Sequence, residues 1–409
     1  MRFRSGIGWT DTYPRTIDWL LSTLRGKYDS PVTYLKTRSR RLRMSQKFHN
    51  PVATFFGNDS LEEIRTLTEN QHVALVTFPE ARSLGLIDRV QALLGDRLAY
   101  IVEDVQPNPD VAQLAGLYER FWQQAGHCHT VIALGGGSAI DTAKALIVGT
   151  QSGRFNELLE LLAAGQAFTP AQAKSLIAIP TTAGTGSEVT PWATIWDSAN
   201  LKKYSLHLEC TWPKAAIIDP QLMLTVPRGI TVSTGLDALS HAMESIWNVN
   251  ANPVSDTFAV SAIGDVLACL PALCKDLGNL ELRARMALAA MKAGLAFSNT
   301  KTALAHSISY EMTLRHGLPH GIACSFTLPM VLGLAWGRDP ARDQVLQQVF
   351  GPDLGTAQQR LRQFLHSLDV KTDFSDYGVD ANEAEQIVGY ALLGARGKNF
   401  IGAERSPVH

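Results

Sequence analysis

Short apolar runs alternate with longer helical segments between residues 52 and 227, and this alternation limits the possible folds more than any other feature. Four runs end in turn residues: VALVTF (73–78), LAYIVEDV (98–105), TVIALGGG (130–137) and SLIAIPTT (175–182). Between them lie segments such as VAQLAGLYERFWQQAG (111–126), whose apolar residues have helical spacing. Apolar strands that alternate with helices are typical of a parallel sheet covered on both faces.

The character of the chain changes after Pro213, Pro220 and Pro227. Residues 231–299 are rich in Ala, Leu and Met at three- and four-residue spacing, which favours an all-helical region. We therefore predict an α/β domain over residues 47–227 and an all-helical domain over residues 228–409. Active sites commonly lie between two such domains.

Charge is unevenly distributed, although the net charge of the 409 residues is only −1. Residues 1–47 hold 11 Lys and Arg against three Asp, a balance of +8. A nucleic-acid-binding function would rest on this segment alone. We interpret residues 1–46 as an appended basic arm and expect no nucleic-acid partner.

The cysteines and the apolar runs indicate the compartment. The chain has five cysteines, none in a CxxC pair, which fits a reduced protein without a disulfide framework. We find no apolar run of membrane-spanning length and no signal-peptide core. We therefore expect a cytoplasmic protein with no membrane partner.

A glycine-rich turn, GGGS (135–138), follows an apolar run and precedes a helical segment that begins AIDTAK. Glycines let the backbone approach an anion, the new helix offers free N–H groups, and Ser138 adds a hydroxyl donor. The pattern differs from the Rossmann fingerprint because Ile140 stands where the last glycine is required. The turn is either a cradle for a pyrophosphate or a tight strand-to-helix turn without a ligand.

A second turn with hydroxyls and glycines, TTAGTGSE (181–188), ends the next apolar run. Taken alone, such a segment is usually a loop. Two anion-binding turns at strand carboxyl ends are more informative together, because nucleotides bind at that edge of open α/β sheets. Lys203, which follows a loop, is either a partner for the diphosphate or an ordinary surface lysine.

The segment GLDALSHAME (235–244) places Asp237 and His241 four residues apart on one face of a helix. That face is otherwise apolar, so a buried carboxylate there must be paired or must coordinate a metal. His306 and His320 lie in AHSISYEMTLRHGLPHG (305–321), where a helix and a turn could bring both imidazoles to the same ion. One Asp and three His form a shell that suits Fe(II) or Zn(II).

Each of these residues also has a purely structural interpretation. A single His in an apolar helix is more often a hydrogen-bonded core residue, and Asp237 or Thr234 could cap the helix. His316 lies close to His320 in the sequence and competes with it as a ligand. The combined pattern favours the metal site over these separate interpretations.

Four motifs in the same order resemble the iron-containing, or group III, alcohol dehydrogenases. They are GGGSxxDxAK, TTAGTGSEVT, GLDALSHAME and the spacing from His306 to His320, and the resemblance extends from about residue 48 to the C-terminus. It implies the dehydroquinate synthase-like fold of that family, with an α/β dinucleotide-binding domain that contains a parallel sheet and an all-α, metal-binding C-terminal domain. It also implies a site in the cleft between them and a homodimer.

The resemblance further implies which residues hold the metal and the cofactor. Fe(II) or Zn(II) would be held by Asp237, His241, His306 and His320. NAD(H) or NADP(H) would be held by Gly135, Gly136, Gly137, Ser138, Asp141, Thr181, Thr182 and Thr185. In such an enzyme the metal polarises an aldehyde oxygen and the nicotinamide supplies hydride, so that a small aldehyde and its primary alcohol are interconverted.

Two positions depart from the pattern of the family. Many members carry a second histidine four residues after the third ligand, where this chain has Tyr310. Tyrosine is a poor base because its usual pKa is about 10, so His316, water and the cofactor ribose are alternative routes for the proton. After the first strand, Phe78 stands where many NAD-preferring relatives have an acidic residue, and neither NADH nor NADPH is excluded.

Within the family, TPWATIWD (190–197), KKYSL (202–206) and AHSISY (305–310) resemble the phosphonoacetaldehyde reductases, which make 2-hydroxyethylphosphonate. A phosphonate would require cations in the outer pocket, and Trp192 is a candidate for the pocket wall. The candidate cations for the substrate are Arg315, Arg396 and Lys398, with Lys301 also close to the ligand segment. Each of these residues is equally compatible with an ordinary surface or core position.

Other functions stay open on the same residues. The nearest is a dehydrogenase of short-chain alcohols or of a diol, of the lactaldehyde type. A metal-dependent synthase or a glycerol-type dehydrogenase of the same superfamily is a further alternative. A catalytically silent, nucleotide-binding subunit belongs to another class, and the intact set of four metal ligands argues against it.

Overall fold

The computed structural model describes residues 46–403. The basic arm predicted for residues 1–46 lies outside the described residues except for Gln46. The last strand ends at Ile218, and the first long helix after it begins at Arg228. The predicted domain bounds, 47–227 and 228–409, stay a prediction.

Ten strands form within the described part of the chain. They are β1 (Ala53–Phe56), β2 (Val73–Thr77), β3 (Leu98–Val102), β4 (Thr130–Gly135), β5 (Val148–Gly149), β6 (Gln172–Ala173), β7 (Ser175–Pro180), β8 (Trp192–Asp197), β9 (Lys202–His207) and β10 (Ala215–Ile218). Six of them form one parallel sheet in the order β1-β10-β7-β4-β2-β3. Because the strands are parallel, their carboxyl ends meet at one edge, where the turns after β4 and β7 are neighbours.

Helices connect the strands and build the C-terminal part. The first group comprises α1 (Ile64–Leu67), α2 (Leu86–Leu94), α3 (Val111–Gln124), α4 (Gly137–Leu146) and α5 (Phe155–Ala163). The second group comprises α6 (Arg228–Ile246), α7 (Pro253–Leu273), α8 (Leu280–Thr300), α9 (Leu304–Leu314), α10 (His320–Ser325), α11 (Leu328–Ala335), α12 (Pro340–Phe350), α13 (Leu354–Ser367) and α14 (Ala381–Leu393). The chain therefore has a parallel-sheet part followed by a helical part.

Both faces of the sheet are buried, which explains why its strands are almost continuously apolar. In β4, Val131 and Ala133 reach the face that is covered by α3, α4 and α5. Ile132 and Leu134 reach the opposite face, which is covered by α1 and α2. Burying one such side chain contributes about 1.5–3 kcal/mol, so the sheet is a stable platform for the turns at its edge.

Strands β8 and β9 form an antiparallel hairpin outside the main sheet. Trp192 pairs with His207, and Trp196 pairs with Lys203, so these four side chains share one face. The rings of Trp192 and His207 stack with their centroids 4.1 Å apart. The hairpin thus presents aromatic and cationic groups on a single face.

Helices α6, α7 and α8 pack against one another in the core of the helical part. Every residue of α6 from Gly235 to Ile246 is buried. Such a helix should be apolar throughout, yet this stretch carries Asp237, His241 and Glu244. Three ionisable groups in a buried helix require partners, and these define the site described below.

One described helix, α7, is long and apolar enough to cross a membrane by length and composition. This corrects the expectation that no apolar run reaches that length. The helix packs between α6 and α8, and Ala259, Ile263 and Val266 belong to the main hydrophobic core. A core helix passes the same test as a membrane span, so one such helix is weak evidence for a membrane.

Candidate active site

A cavity of about 350 Å³ lies where the carboxyl edge of the sheet faces α6, α8, α9 and α10. The two predicted turns, the inner face of the β8–β9 hairpin and the segment after α14 complete its wall. Asp237, His241, His306 and His320 all line it. The structure therefore brings the predicted metal ligands and the predicted cofactor turns to one cavity.

The Oδ1 atom of Asp237 lies at the centre of the predicted ligand set. It is 3.4 Å from Nε2 of His306, 3.9 Å from Nε2 of His241 and 4.0 Å from Nε2 of His320. Asp237 and His241 are one turn apart on α6, whereas His306 lies in the first turn of α9 and His320 begins α10. Helical spacing supplies two of the groups, and the packing of three helices supplies the rest.

Glu244, which is fully buried on α6, fixes the orientation of His306. Its Oε2 atom is 2.7 Å from Nδ1 of His306 and accepts the N–H of Ala303 at 2.8 Å. Its Oε1 atom accepts the N–H of Ala305 at 2.5 Å. One carboxylate thus caps the N-terminus of α9 and leaves Nε2 of His306 facing Asp237.

These residues fit a divalent cation. Asp237 Oδ1 and His306 Nε2 are buried and have no hydrogen-bond partner within residues 46–403. Burial lowers the pKa of His306, but the negative charges of Cys324 and Glu244 outweigh it and hold this pKa well above its ordinary value. A positive charge is therefore favoured between the imidazole and the carboxylate, and a metal ion can take the place of a proton there.

The other groups of the cluster are in the states that a metal requires. Burial lowers the pKa of His241 to about 3, which leaves a neutral imidazole. Burial alone would raise the pKa of Asp237, but His241, His306 and His320 hold it below its ordinary value. An ionised carboxylate and a neutral imidazole are the forms that coordinate metals.

Sequence reasoning missed Cys324, which lies one turn after His320 on α10. Potential ligand atoms of Asp237, His306, His320 and Cys324 all lie within 4.8 Å of one another. The ring of His241 instead stacks on Phe297, with centroids 4.0 Å apart. The i, i+4 spacing from His320 was the only signal for Cys324, and a lone cysteine in an apolar stretch usually belongs to the core.

The two turns predicted to bind the cofactor pack directly against each other. A Cβ atom at Gly136 would approach Oγ1 of Thr182 to 3.2 Å, and one at Gly137 would approach Cγ2 of Thr185 to 2.6 Å. Glycine is therefore required at position 137 for the turns to meet at the N-terminus of α4, and a side chain at position 136 would be tightly packed against Thr182. Thr181 is buried at the end of β7 and donates its N–H to the carbonyl of Gly135.

Asp141 connects the first turn to the hairpin instead of standing free in the cavity. Its Oδ1 accepts the hydroxyl of Ser187 at 2.6 Å, and its Oδ2 accepts the N–H of Thr194 at 2.9 Å. The fully buried Lys144, which sequence reasoning did not single out, donates to Ser187 and to the carbonyl of Trp192. Burial lowers the pKa of Lys144 to about 8. The network holds the second turn and the hairpin onto α4.

Two cations that line the cavity meet over one aromatic ring, that of Tyr310, which lies one turn after His306 on α9. Nζ of Lys203 is 4.1 Å from the centroid of the Tyr310 ring, and the guanidinium carbon of Arg396 is 5.1 Å from it. No carboxylate of residues 46–403 forms a salt bridge with either cation, and the Tyr310 hydroxyl has no hydrogen-bond partner there. Burial and Arg396 hold the pKa of Lys203 well below its ordinary value, and burial lowers that of Arg396 to about 10.

Four residues predicted for catalysis or for the substrate do not line the cavity. Arg315 is exposed and pairs with Glu311 on its own helix, with Nε and Oε2 2.7 Å apart. His316 Nε2 lies 3.2 Å from a carboxylate oxygen of Glu383 on α14. Lys398 is exposed and does not line the cavity. Tyr310 is not part of the lining either, although its ring contacts Lys203 and Arg396, which line the cavity together with Trp192.

Phe78 follows β2, at the edge where the cofactor would bind. It lies against the first turn, since a Cβ atom at Gly135 would be 3.2 Å from Cδ1 of Phe78. The position therefore presents an apolar ring, which neither repels nor attracts a phosphate on the ribose.

A glycine-rich turn on a parallel sheet, facing a buried carboxylate and imidazoles on helices, is the arrangement of a metal-dependent dehydrogenase that uses a dinucleotide. Comparison with known proteins agrees with this class. Residues 51–220 match the iron-containing alcohol dehydrogenase family, and residues 231–408 match the C-terminal domain of the Fe-containing alcohol dehydrogenase family. The chain belongs to the iron-containing alcohol dehydrogenase family.

Individual relatives support the same assignment. The chain is 35% identical to an NAD-dependent methanol dehydrogenase of Bacillus methanolicus over 290 residues, which cover 69% of this chain and 74% of the relative. It is 28% identical to alcohol dehydrogenase 4 of Schizosaccharomyces pombe over 388 residues, 92% of this chain and 90% of the relative. The protein is therefore an enzyme of the alcohol dehydrogenase class.

The fold resembles solved structures of the family. The sulfoacetaldehyde reductase of Bifidobacterium kashiwanohense, solved with NAD⁺, matches with a TM-score of 0.80 and 29% identity, over 87% of this chain and 94% of that one. The predicted fold class, a parallel-sheet N-terminal part with a helical C-terminal part, is confirmed.

Proposed function

We propose that this enzyme reduces phosphonoacetaldehyde to 2-hydroxyethylphosphonate with NADH or NADPH. The observation that carries the proposal is the pair Lys203 and Arg396, which lie in the same cavity as the Asp237–histidine cluster without a carboxylate of their own. Half-buried cations without partners call for an anion. A small aldehyde with an anionic head would place its carbonyl toward the cluster and its head toward these cations.

The metal would be held by Asp237, His241, His306 and His320, with Glu244 orienting His306. A divalent ion such as Fe(II) or Zn(II) would supply Lewis-acid polarisation of the aldehyde oxygen. The side-chain atoms that would coordinate the ion lie on three packed helices. Their positions therefore depend on the helical core and not on a mobile loop.

The cofactor would lie along the two turns, with its diphosphate at the N-terminus of α4, and its nicotinamide would supply hydride. Asp141 and Lys144 hold the second turn and the hairpin against that helix. His316 lies against Glu383 on α14, so water, the cofactor ribose and Tyr310 are the candidates that stay open for moving a proton.

The similarity to a sulfoacetaldehyde reductase supports an anionic aldehyde, since that protein is named for a two-carbon aldehyde with a sulfonate. Relatives named for uncharged alcohols, such as the methanol dehydrogenase, support the competing function of a general short-chain alcohol or diol dehydrogenase. The two functions differ in whether the cations at Lys203 and Arg396 contribute to turnover.

The test is oxidation of NADH and NADPH by metal-reconstituted enzyme with phosphonoacetaldehyde, sulfoacetaldehyde, acetaldehyde, lactaldehyde and glycolaldehyde. We expect the highest kcat/KM with phosphonoacetaldehyde. Arg396→Ala should lower that value by roughly tenfold to a hundredfold, the range for losing a hydrogen bond between charged groups. Acetaldehyde should be little affected, and Arg360→Ala on the exposed face of α13 is the matched control.

Equal or better turnover of the uncharged aldehydes would contradict the phosphonate substrate and leave a general short-chain alcohol dehydrogenase. Metal and cofactor binding without turnover of any aldehyde would instead favour a catalytically silent subunit. A homodimer, a cytoplasmic location and the use of NADPH stay predictions, which sedimentation, cell fractionation and the cofactor comparison would test.

A further inference from the structure

Lys301, the residue after α8, has a backbone conformation that suits glycine. Its φ is 66° and its ψ is 171°. This region of backbone space is occupied almost only by glycine, because a Cβ atom there clashes with the neighbouring peptide. A lysine at this position is strained, and strained residues of this kind concentrate at binding and catalytic sites.

The surrounding chain holds Lys301 in that conformation. Nδ2 of Asn248 donates to the carbonyl of Lys301 at 3.0 Å, and Nδ2 of Asn250 donates to the carbonyl of Thr300 at 3.1 Å. Nδ2 of Asn399 donates to the carbonyl of Thr302 at 2.8 Å. Three asparagines from two distant segments therefore fix the backbone of residues 300–302.

The side chain of Lys301 lines the same cavity as Lys203 and Arg396. Its Nζ lies 5.6 Å from the centroid of the Trp192 ring. No salt bridge joins it to a carboxylate within residues 46–403. The pKa of His207, which stacks on Trp192, is lowered by burial and then by the charge of Lys301.

We propose that Lys301 is a specificity-determining residue that binds the head group of the substrate and favours a phosphonate dianion over a sulfonate monoanion. This inference rests on the proposed function, because it names the residue that selects among anionic aldehydes. Lys203 and Arg396 are sufficient to attract any anion. A third cation adds most to the binding of a head that carries a second negative charge.

Three substitutions test the inference. Lys301→Gly removes the charge and relieves the backbone, Lys301→Met removes the charge alone, and Lys301→Arg keeps the charge. We expect the first two to lower kcat/KM for phosphonoacetaldehyde by roughly tenfold or more. The loss with sulfoacetaldehyde should be smaller, acetaldehyde should stay within about twofold, and Lys301→Arg should keep most of the preference.

Two readouts do not depend on turnover. Ethylphosphonate and ethanesulfonate should bind the native enzyme with different affinities, measured by calorimetry, and Lys301→Gly should reduce this difference. The same variant should also raise the unfolding midpoint, by roughly 2 °C, because the strain is gone, whereas Lys301→Met should not. Lys275→Met, at an exposed lysine after α7, is the matched control for loss of one charge.

An unchanged ratio of phosphonate to sulfonate turnover in Lys301→Gly would overturn the inference. An equal loss on all three aldehydes would also overturn it, because it would indicate a structural or cofactor role. If the native enzyme prefers phosphonoacetaldehyde and the variant keeps that preference, only this inference fails. If the native enzyme prefers acetaldehyde, the proposed function fails with it.

Discussion

Two groups of residues in the cavity wall present opposite kinds of unpaired polar group. In the helical group, Asp237 Oδ1 and His306 Nε2 lie 3.4 Å apart on buried helices, without a hydrogen-bond partner in the described chain. In the cationic group, Lys203, Arg396 and Lys301 present positive charge from a hairpin and two chain segments, without a carboxylate of the described chain in a salt bridge with them. The helical group is suited to a cation and the cationic group to an anion, so a molecule with a reducible carbonyl and an anionic head matches both.

The two groups differ in how their residues depend on one another. The helical group is a connected set, because Glu244 simultaneously caps α9 and orients His306. A change there should affect metal binding and stability together. The cationic group consists of side chains on separate segments, so a change there should affect mainly the choice of substrate.

The largest effect is expected in the helical group. Asp237→Asn removes the only carboxylate at the centre of the predicted ligand set, so we expect bound metal and turnover to fall below detection. Metal content by mass spectrometry and NADH oxidation measure both. Asp369→Asn, at an exposed carboxylate, is the matched control. An active variant with full metal content would show that the ligands lie elsewhere.

A smaller effect is expected at Glu244, which contacts the predicted ligand His306. Glu244→Gln keeps the size of the side chain but weakens its bonds to His306 and to the first turn of α9. Loss of such a supporting partner typically costs roughly tenfold to a hundredfold in metal affinity. The metal affinity, measured by competition titration, and the temperature midpoint of unfolding should both fall. A change in stability with unaltered metal affinity would limit Glu244 to a capping role.

The smallest effect is expected from a change of pH that acts on the cationic group. Burial and Arg396 hold the pKa of Lys203 well below its ordinary value, and burial lowers that of Arg396 to about 10. A cation whose pKa is lowered is lost as the pH rises through that pKa. As the pH rises from neutral to about 10, the ratio of kcat/KM for phosphonoacetaldehyde to that for acetaldehyde should therefore fall several-fold.

A variant with a different cation at position 203 tests whether the pH dependence comes from Lys203. Lys203→Arg replaces the lysine with a group of higher pKa, so the fall should move to higher pH. The ratio is the useful quantity, because the proton taken up in every reduction affects both substrates alike. A ratio independent of pH would show that these cations do not bind the substrate.

Much of the sheet could be predicted because its strands are fully buried. The apolar runs at 73–78, 98–105, 130–137 and 175–182 correspond to β2, β3, β4 and β7, although each strand ends earlier, where the turn begins. The β8–β9 hairpin was not predicted, because TPWATIWD mixes polar and aromatic residues. Its strands are stabilised by packing on α4 and not by a continuous apolar sequence.

Some residues of the site could be predicted from the sequence, and others could not. Asp237 and His241 could be found because helical periodicity relates sequence spacing directly to a shared face, and Glu244 follows two turns after Asp237 on the same helix. Arg396 and Lys301 were among the candidate cations, but the sequence could not separate them from Arg315 and Lys398, because their places in the cavity wall depend on contacts between distant segments. The positive φ of Lys301 cannot be predicted from composition or from hydrophobic periodicity.

The hairpin separates the choice of substrate from the stability of the sheet. Alternate residues of β8 and β9 face the cavity, and the hairpin forms no ladder with the six-stranded sheet. Trp192, Trp196 and Lys203 can therefore be exchanged without disturbing the strands that carry the cofactor turns. Combined substitutions at these three positions, which face the cavity, could therefore redirect the enzyme to aldehydes of other size and charge.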